Sequence, residues 1–256
     1  MAQGRFGLLS RNRSYRYLWT ARTLSFLGDM LTTVALVLYA ARLENAATAV
    51  GLLLLAQTLP RLFGPFAGVI VDRVDQRRLM IGCELGQALL VGLIAFTSPP
   101  FPLLMLLVFG TTALATLFGP AGRSTIPVLV APQDIAAANA TLSSGLNMAL
   151  ALGPGIGGLL VGLIGIRGVL IIDLLTFLSS ALLLSQLPPL VAASPAAGLA
   201  ATFLGMTGAG FAYIARHQTV RAVAVGLFFV VGFAALRNIT LVFLAETVLK
   251  TDARGY

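Results

Sequence analysis

An all-helical (all-α) integral membrane protein is the fold class that the sequence predicts, and three observations indicate it. Of the 256 residues, 58% are hydrophobic and only 10% are charged, whereas soluble domains are about one quarter charged. The charged residues are bunched between long apolar stretches. Those stretches are close to the ~20 residues that a helix needs to cross a hydrocarbon core ~30 Å thick.

Seven apolar segments are predicted to be transmembrane spans. Tyr15, Tyr17 and Trp19 stand at the start of the first one, where an aromatic belt is expected at the membrane interface. The spans cover roughly residues 19–41, 48–70, 79–98, 102–122, 138–164, 168–187 and 221–245.

The residue inventory excludes several classes of function. One cysteine, Cys83, and one histidine, His217, rule out an intramolecular disulfide and any metal centre rich in these residues. The one lysine, Lys250, does not follow a Gly-x-x-x-x-Gly pattern, so the chain has no P-loop. We therefore expect neither an enzyme nor a cofactor, and energy for transport would come from an ion gradient or a separate ATPase subunit.

The distribution of positive charge predicts the orientation in the membrane. With a cytoplasmic N-terminus, ten arginines and lysines lie inside and four outside, as expected for the inner (plasma) membrane of a cell. Arginines placed at the membrane edges then explain the net charge of +8. A nucleic-acid partner is therefore not expected. The uncharged segment 196–215 is long enough to span, but crossing there leaves the same count. The charge count therefore does not decide between a span and a cytoplasmic or interfacial linker helix at this segment.

The loop after the second span contains a glycine, two acids and three arginines at the cytoplasmic end of the helix. It resembles motif A of the major facilitator superfamily, Gly-x-x-x-Asp-Arg-x-Gly-Arg-Arg/Lys. Asp75 and Gln76 depart from that general pattern. An aspartate at the position of Asp75 resembles the pattern of the subgroup that exports drugs, macrolides and enterobactin-type siderophores. The residues assigned to this motif are Gly68, Asp72, Arg73, Arg77 and Arg78.

The fifth span contains a glycine-proline cluster, and its matching positions are Gly153, Pro154, Gly157 and Gly158. It resembles motif C of the superfamily's antiporters, although Ala149 stands where the motif has an earlier glycine. Proline removes a backbone donor and bends the helix, and glycines let a neighbouring helix approach closely. The alternative interpretation is a glycine patch that only serves helix packing.

The resemblance implies a twelve-helix fold of two six-helix halves. Residues 1–188 would form the N-terminal half, 189–220 a cytoplasmic linker with an interfacial helix, and 221–256 the first helix of a truncated C-terminal half. The missing C-terminal half would then be a required partner. We expect from this interpretation that the 256-residue chain does not transport by itself.

Charged residues inside spans are candidate functional residues because burying them in lipid is costly. Arg22, Ser25, Asp29 and Thr32 recur every three or four residues, so they share one face of the first span. Asp29 lies ten residues beyond Trp19, about 15 Å deep, and Arg61 lies eleven residues before Asp72, about 16 Å from the same side.

We therefore predict an Asp29–Arg61 pair near the midplane, at the site of a substrate cation or a proton. The alternative is a static pair that only joins two helices. Asn147, on a polar stripe of the fifth span, is a further candidate for the translocation path. Glu84 and Asp173 are expected nearer the membrane faces, with snorkelling or local pairing.

The function predicted from these features is secondary active transport. We expect export of small lipophilic, cationic or siderophore-like compounds by proton antiport, with alternating access between the two sides of the lipid bilayer. Two alternatives stay open, a permease subunit of an ATP-driven transporter and a membrane scaffold that transports nothing.

Overall fold

Every regular element of the described chain is a helix. The computed structural model describes residues 7–71, 74–189, 216–219, 221–222 and 225–226. Short 3-10 segments at Leu59–Phe63 and Pro132–Asp134 precede the fourth and seventh helices. The helices are α1 (Gly7–Arg11), α2 (Arg13–Ala40), α3 (Ala46–Thr58), α4 (Gly64–Val71), α5 (Gln76–Thr97), α6 (Phe101–Leu129) and α7 (Ile135–Leu184).

Five helical stretches of the described residues are long and apolar enough to cross a membrane. They are α2, Ala46–Phe63, α5, α6 and Pro132–Leu184. The last has 53 residues, which is about 80 Å of helix and far more than a bilayer core needs. At Gly165 the backbone leaves the helical region, with φ 74° and ψ 172°. This residue separates the predicted fifth and sixth spans. The helices long enough to cross a membrane confirm the predicted all-helical membrane fold.

Helix α2 packs along the first half of α7, and the two run parallel. The Tyr15 hydroxyl donates to the carbonyl of Ala138 (2.7 Å), and the indole N–H of Trp19 donates to that of Thr141 (3.0 Å). Further along, Gly157 lies against Val34. Residue numbers therefore rise together in the two helices.

The second half of α7 runs back between α2 and α5. Thr32 of α2 contacts Asp173, whereas Gly28, one turn earlier, faces Thr176. The numbers thus run in opposite senses, which shows that the chain reverses direction at Gly165. On α5, Gly92 lies against Leu174. The second half of α7 therefore packs between α2 and α5 and runs antiparallel to both of them.

Helix α6 packs antiparallel to α5 and covers the side of the bundle next to α3 and α4. Leu114 fills the space beside Gly86, and Leu90 fills the space beside Gly110. Small residues at these two crossings let the helices approach closely, as is common where membrane helices associate.

The predicted linker and seventh span lie almost wholly outside the described residues. The interpretation of segment 196–215 also falls outside them. The domain boundaries at 188 and 220 therefore stay predictions.

Candidate functional site

A cavity of about 370 Å³ opens between α2, the 3-10 segment after α3, and α6. Its charged lining consists of Arg22, Asp29 and Arg61. Threonines and Gln57 supply further polar groups, while Phe26, Met30 and other apolar side chains form the remaining wall. The polar residues that complete the lining are Thr32, Thr33, Thr111, Thr112 and Thr116.

The predicted polar stripe of α2 is divided between two surroundings. Arg22, Asp29 and Thr32 line the cavity. Ser25 is buried, with 4% of its surface exposed, and its hydroxyl faces Glu84 of α5 instead. Asn147 is exposed and does not line this cavity, although Leu150 of the same helix does.

Asp29 and Arg61 share the cavity, but they do not form the direct contact that we expected. Within the described residues, the one ion pair closer than 4.0 Å joins Arg11 and Asp134, at 3.9 Å. Both Arg22 and Arg61 interact electrostatically with Asp29, and Arg22 has the larger effect. Two guanidinium groups therefore act on the carboxyl group of Asp29, and the one on Arg61 belongs to an exposed residue.

Arg22 is held against an aromatic ring. Its guanidinium carbon lies 4.6 Å from the centroid of the Phe118 ring of α6, within the ~6 Å of a cation–π contact. This contact fixes the cation at the junction of α2 and α6. From there it interacts with two acids, Asp29 and Glu84.

Two acids that were expected near the membrane faces lie fully inside the bundle. Glu84 and Asp173 each have 0% of their surface exposed, so snorkelling is wrong for both, whereas the alternative expectation, local pairing, holds for Asp173. Asp173 accepts hydrogen bonds from the hydroxyls of Thr32 (2.6 Å) and Thr176 (3.2 Å). Neither carboxylate oxygen of Glu84 accepts one from the described residues.

The predicted span that contains Glu84 began at residue 79, whereas α5 begins at Gln76. Glu84 lies eight residues into α5, about 12 Å along the helix, which is beyond the reach of a side chain that returns to the interface. Its direction depends on how α5 is rotated against its neighbours, and that rotation is set by packing at positions such as Gly86 and Gly92.

The loop resembling motif A is described only in part, because Asp72 and Arg73 lie outside the described residues. Gly68 belongs to the end of α4. Arg77 donates to the carbonyl of Ser185 at the end of α7, and Arg78 is exposed.

Asp75 has a local structural role that accounts for an acid at this position. It is the N-cap of α5, and its side chain accepts a hydrogen bond from the backbone N–H of Arg78 (3.0 Å). Aspartate is among the residues preferred at such positions, because its oxygen satisfies a free backbone donor.

The cluster resembling motif C has two distinct faces. Gly153 and Gly157 are buried against α2, where Met30 and Val34 occupy the space that a larger side chain would need. Pro154 and Gly158 are exposed on another side of the helix. The packing interpretation therefore accounts for two of the four positions.

Comparison with known proteins identifies the family. Residues 7–256 match the family described as transmembrane secretion effector, of the MFS class. The chain is 30% identical to the uncharacterized MFS-type transporter YfiS of Bacillus subtilis over 183 residues, 71% of this chain and 44% of the relative. It is 27% identical to the putative bacilysin exporter BacE of B. subtilis over 146 residues, 56% of this chain and 36% of the relative.

A third relative is the macrolide efflux protein A of Streptococcus pyogenes, 23% identical over 163 residues, 62% of this chain and 40% of the relative. The chain thus spans less than half the length of these curated relatives. With its helices long enough to cross a membrane, the family match identifies a multi-pass membrane protein and not an enzyme. The chain belongs to the transmembrane secretion effectors of the MFS transporters.

Proposed function

We propose that the chain provides the N-terminal helical bundle of a proton-coupled exporter, with its N-terminus in the cytoplasm. The observation that supports this most directly is the cavity between α2, the 3-10 segment and α6. It combines charges of both signs with apolar walls. Such a lining suits a small amphiphilic compound with an ionisable group. Two relatives, a putative bacilysin exporter and a macrolide efflux protein, agree with the direction of export.

Asp29 is the proposed coupling group. When its carboxylate is ionised, it neutralises part of the charge of Arg22 and Arg61. A proton and a positively charged ligand group both bind to this carboxylate, so the two compete for Asp29, and a proton that enters displaces the ligand group. Competition of this kind couples proton entry to substrate release, because each species lowers the affinity for the other.

The roles of the two sequence motifs follow from the same proposal. Gly68, Arg77 and the neighbouring residues would connect the second and third spans during the change between inward-facing and outward-facing states. Arg77 already links the start of α5 to the end of α7. The exposed Pro154 and Gly158 would face a helix of the other half of the transporter.

Proton release on ligand binding tests the coupling directly. The chain in detergent, in weakly buffered solution with a pH indicator, would receive ethidium as a lipophilic cation or fluorescein as an amphiphilic anion. We expect one of these probes to change the proton occupancy of the protein. The variant Asp29→Asn should bind without that change, whereas Asp134→Asn, which alters an acid at the surface pair with Arg11, should behave like the wild type.

Transport in inverted membrane vesicles gives the second readout. In vesicles that contain this chain together with the C-terminal half that the resemblance implies, a pH gradient should drive uptake of the active probe, and Asp29→Asn should reduce it to the level of vesicles without the protein. Full gradient-driven uptake by Asp29→Asn would contradict the proposed coupling role.

A further inference from the structure

Glu84 lies in a group of buried polar atoms that have no hydrogen-bond partner in the described chain. Neither carboxyl oxygen of Glu84 has a hydrogen-bond partner there. The same is true of Oε1 of Gln87 and of the hydroxyl of Ser180. Gln87 lies about one turn further along α5, on the same face as Glu84, and Ser180 of α7 faces the carboxyl. None of these three residues lines the cavity.

An ionised carboxylate is costly in such surroundings, because its desolvation is only partly compensated by the groups around it. The charged groups that act on Glu84 are Arg22 and Asp29 from α2 and Asp173 from α7. On α6 the one charged residue is Arg123, and its charge acts on Arg22. Two acids and one shared cation therefore surround the carboxyl group.

Arg22 lines the cavity and also interacts electrostatically with Glu84. Its guanidinium group interacts with Asp29 and with Glu84, and its contact with Phe118 holds it in place. Asp29 lines the cavity, whereas Glu84 is 0% exposed behind it. Arg22 thus interacts both with an acid that lines the cavity and with an acid that does not.

We propose that Glu84 is a second proton-binding group of this protein, and that it exchanges its proton with Asp29. The inference rests on the proposed proton coupling at Asp29. In the exchange, the O–H bond of Glu84 breaks and an O–H bond forms on a carboxylate oxygen of Asp29, directly or through water. The negative charge moves from Asp29 to Glu84, and Arg22 neutralises whichever of the two carboxylates is ionised.

The orphaned acceptors have a simple account under this proposal. A protonated Glu84 has an O–H group that can donate, while its second oxygen accepts the hydroxyl hydrogen of Ser180. Gln87 Oε1 is then an acceptor within the same group. A protonated Glu84 therefore supplies a donor to this group in addition to the hydroxyls of Ser180 and Ser25, which face its carboxyl.

Infrared spectroscopy of the purified 256-residue chain tests the protonation state without any transport. The chain has three glutamates, Glu44, Glu84 and Glu246. With glutamate labelled by carbon-13, we expect a carboxylic-acid band at neutral pH that shifts in heavy water. Glu84→Gln should remove this band, and Glu44→Gln, a change of an exposed glutamate, should leave it.

Absence of the band from the wild type at neutral pH, or its persistence in Glu84→Gln, would overturn the proposal. Should Glu84→Gln not fold, the double variant Glu44→Gln/Glu246→Gln retains Glu84 as its one glutamate. The band must then remain in that variant, and its loss would overturn the proposal equally.

The proton-release assay tests the exchange with Asp29. Glu84→Gln should still bind the active probe but release a different number of protons, so that its affinity depends on pH differently from that of the wild type. An unchanged profile would overturn the exchange. A failure of the proposed coupling role of Asp29 can be distinguished from a failure of this inference. In that case Asp29→Asn would still release protons on binding the probe, and the infrared band of Glu84 would be unchanged.

Discussion

The substitution Gly28→Ala should destabilise the protein, although alanine is the better helix former. Gly28 is buried on α2, and a β-carbon there would meet Oδ1 of Asp173 and Oγ1 of Thr176 closer than atoms can approach. Both side chains are short and buried on α7, so neither can move away freely. The Asp173 side chain must shift, and its 2.6 Å hydrogen bond from Thr32 is then strained or lost.

The expected magnitude combines three effects. Overpacking of a core costs about 1–3 kcal/mol, and a buried polar group left without its hydrogen bond costs about 1–3 kcal/mol. Replacing glycine by alanine in a helix returns about 1 kcal/mol. We therefore expect Gly28→Ala to lower the free energy of unfolding by about 3 kcal/mol.

The matched control is Gly155→Ala in α7. No described atom lies within 4 Å of a β-carbon at this position, so helix propensity alone should act, giving a gain of up to about 1 kcal/mol. Unfolding by a denaturing detergent can be followed through Trp19, the one tryptophan, whose indole bonds α7 at Thr141. Equal stability of Gly28→Ala and wild type, or an equal loss in both variants, would refute the reasoning.

Three further substitutions test other parts of the helical framework. Gly165→Ala should cost about 1–3 kcal/mol of stability, because a side chain disfavours the positive φ of this residue; a neutral thermal-unfolding result would contradict the reversal there. Tyr15→Phe should cost about 1 kcal/mol by removing the hydrogen bond to Ala138, with no change in helix content by circular dichroism. Asn12→Ala removes the side-chain cap of α2 and the hydrogen bond that the Asn12 side chain donates to the carbonyl of Leu129, and it should cost about 1–2 kcal/mol. The control is Ser10→Ala, which removes a hydrogen bond to the carbonyl of Gly7 within the preceding turn.

The sequence was sufficient to predict the helical membrane fold and the common location of Asp29 and Arg61. Spans are read from continuous apolar length, which a bilayer fixes, and depth follows from a constant rise per residue. These two facts placed Asp29 and Arg61 at one level, and both do line one cavity. Their direct contact did not follow, because depth gives no lateral distance.

The positions of Glu84 and Asp173 could not be obtained in that way. The direction of a side chain depends on the rotation of its helix, and the hydrophobic residues of α5 and α7 are distributed around the whole helix. Packing decides the rotation instead, through close crossings at Gly28 and Gly92. The same lack of a clear face explains why Ser25 was assigned to the cavity with Asp29, whereas it turns to Glu84.

The reversal of the chain at Gly165 has a consequence for biosynthesis. Between Ile135 and Leu184 the two charged residues are Arg167 and Asp173, and Arg167 lies near the bend, over the ring of Phe96 (5.4 Å). No hydrophilic stretch therefore exists at which the insertion apparatus could pause between the two arms. We expect the nascent chain to enter the bilayer as a hairpin at this point, so that an epitope or a protease site introduced beside Gly165 would disturb membrane integration itself.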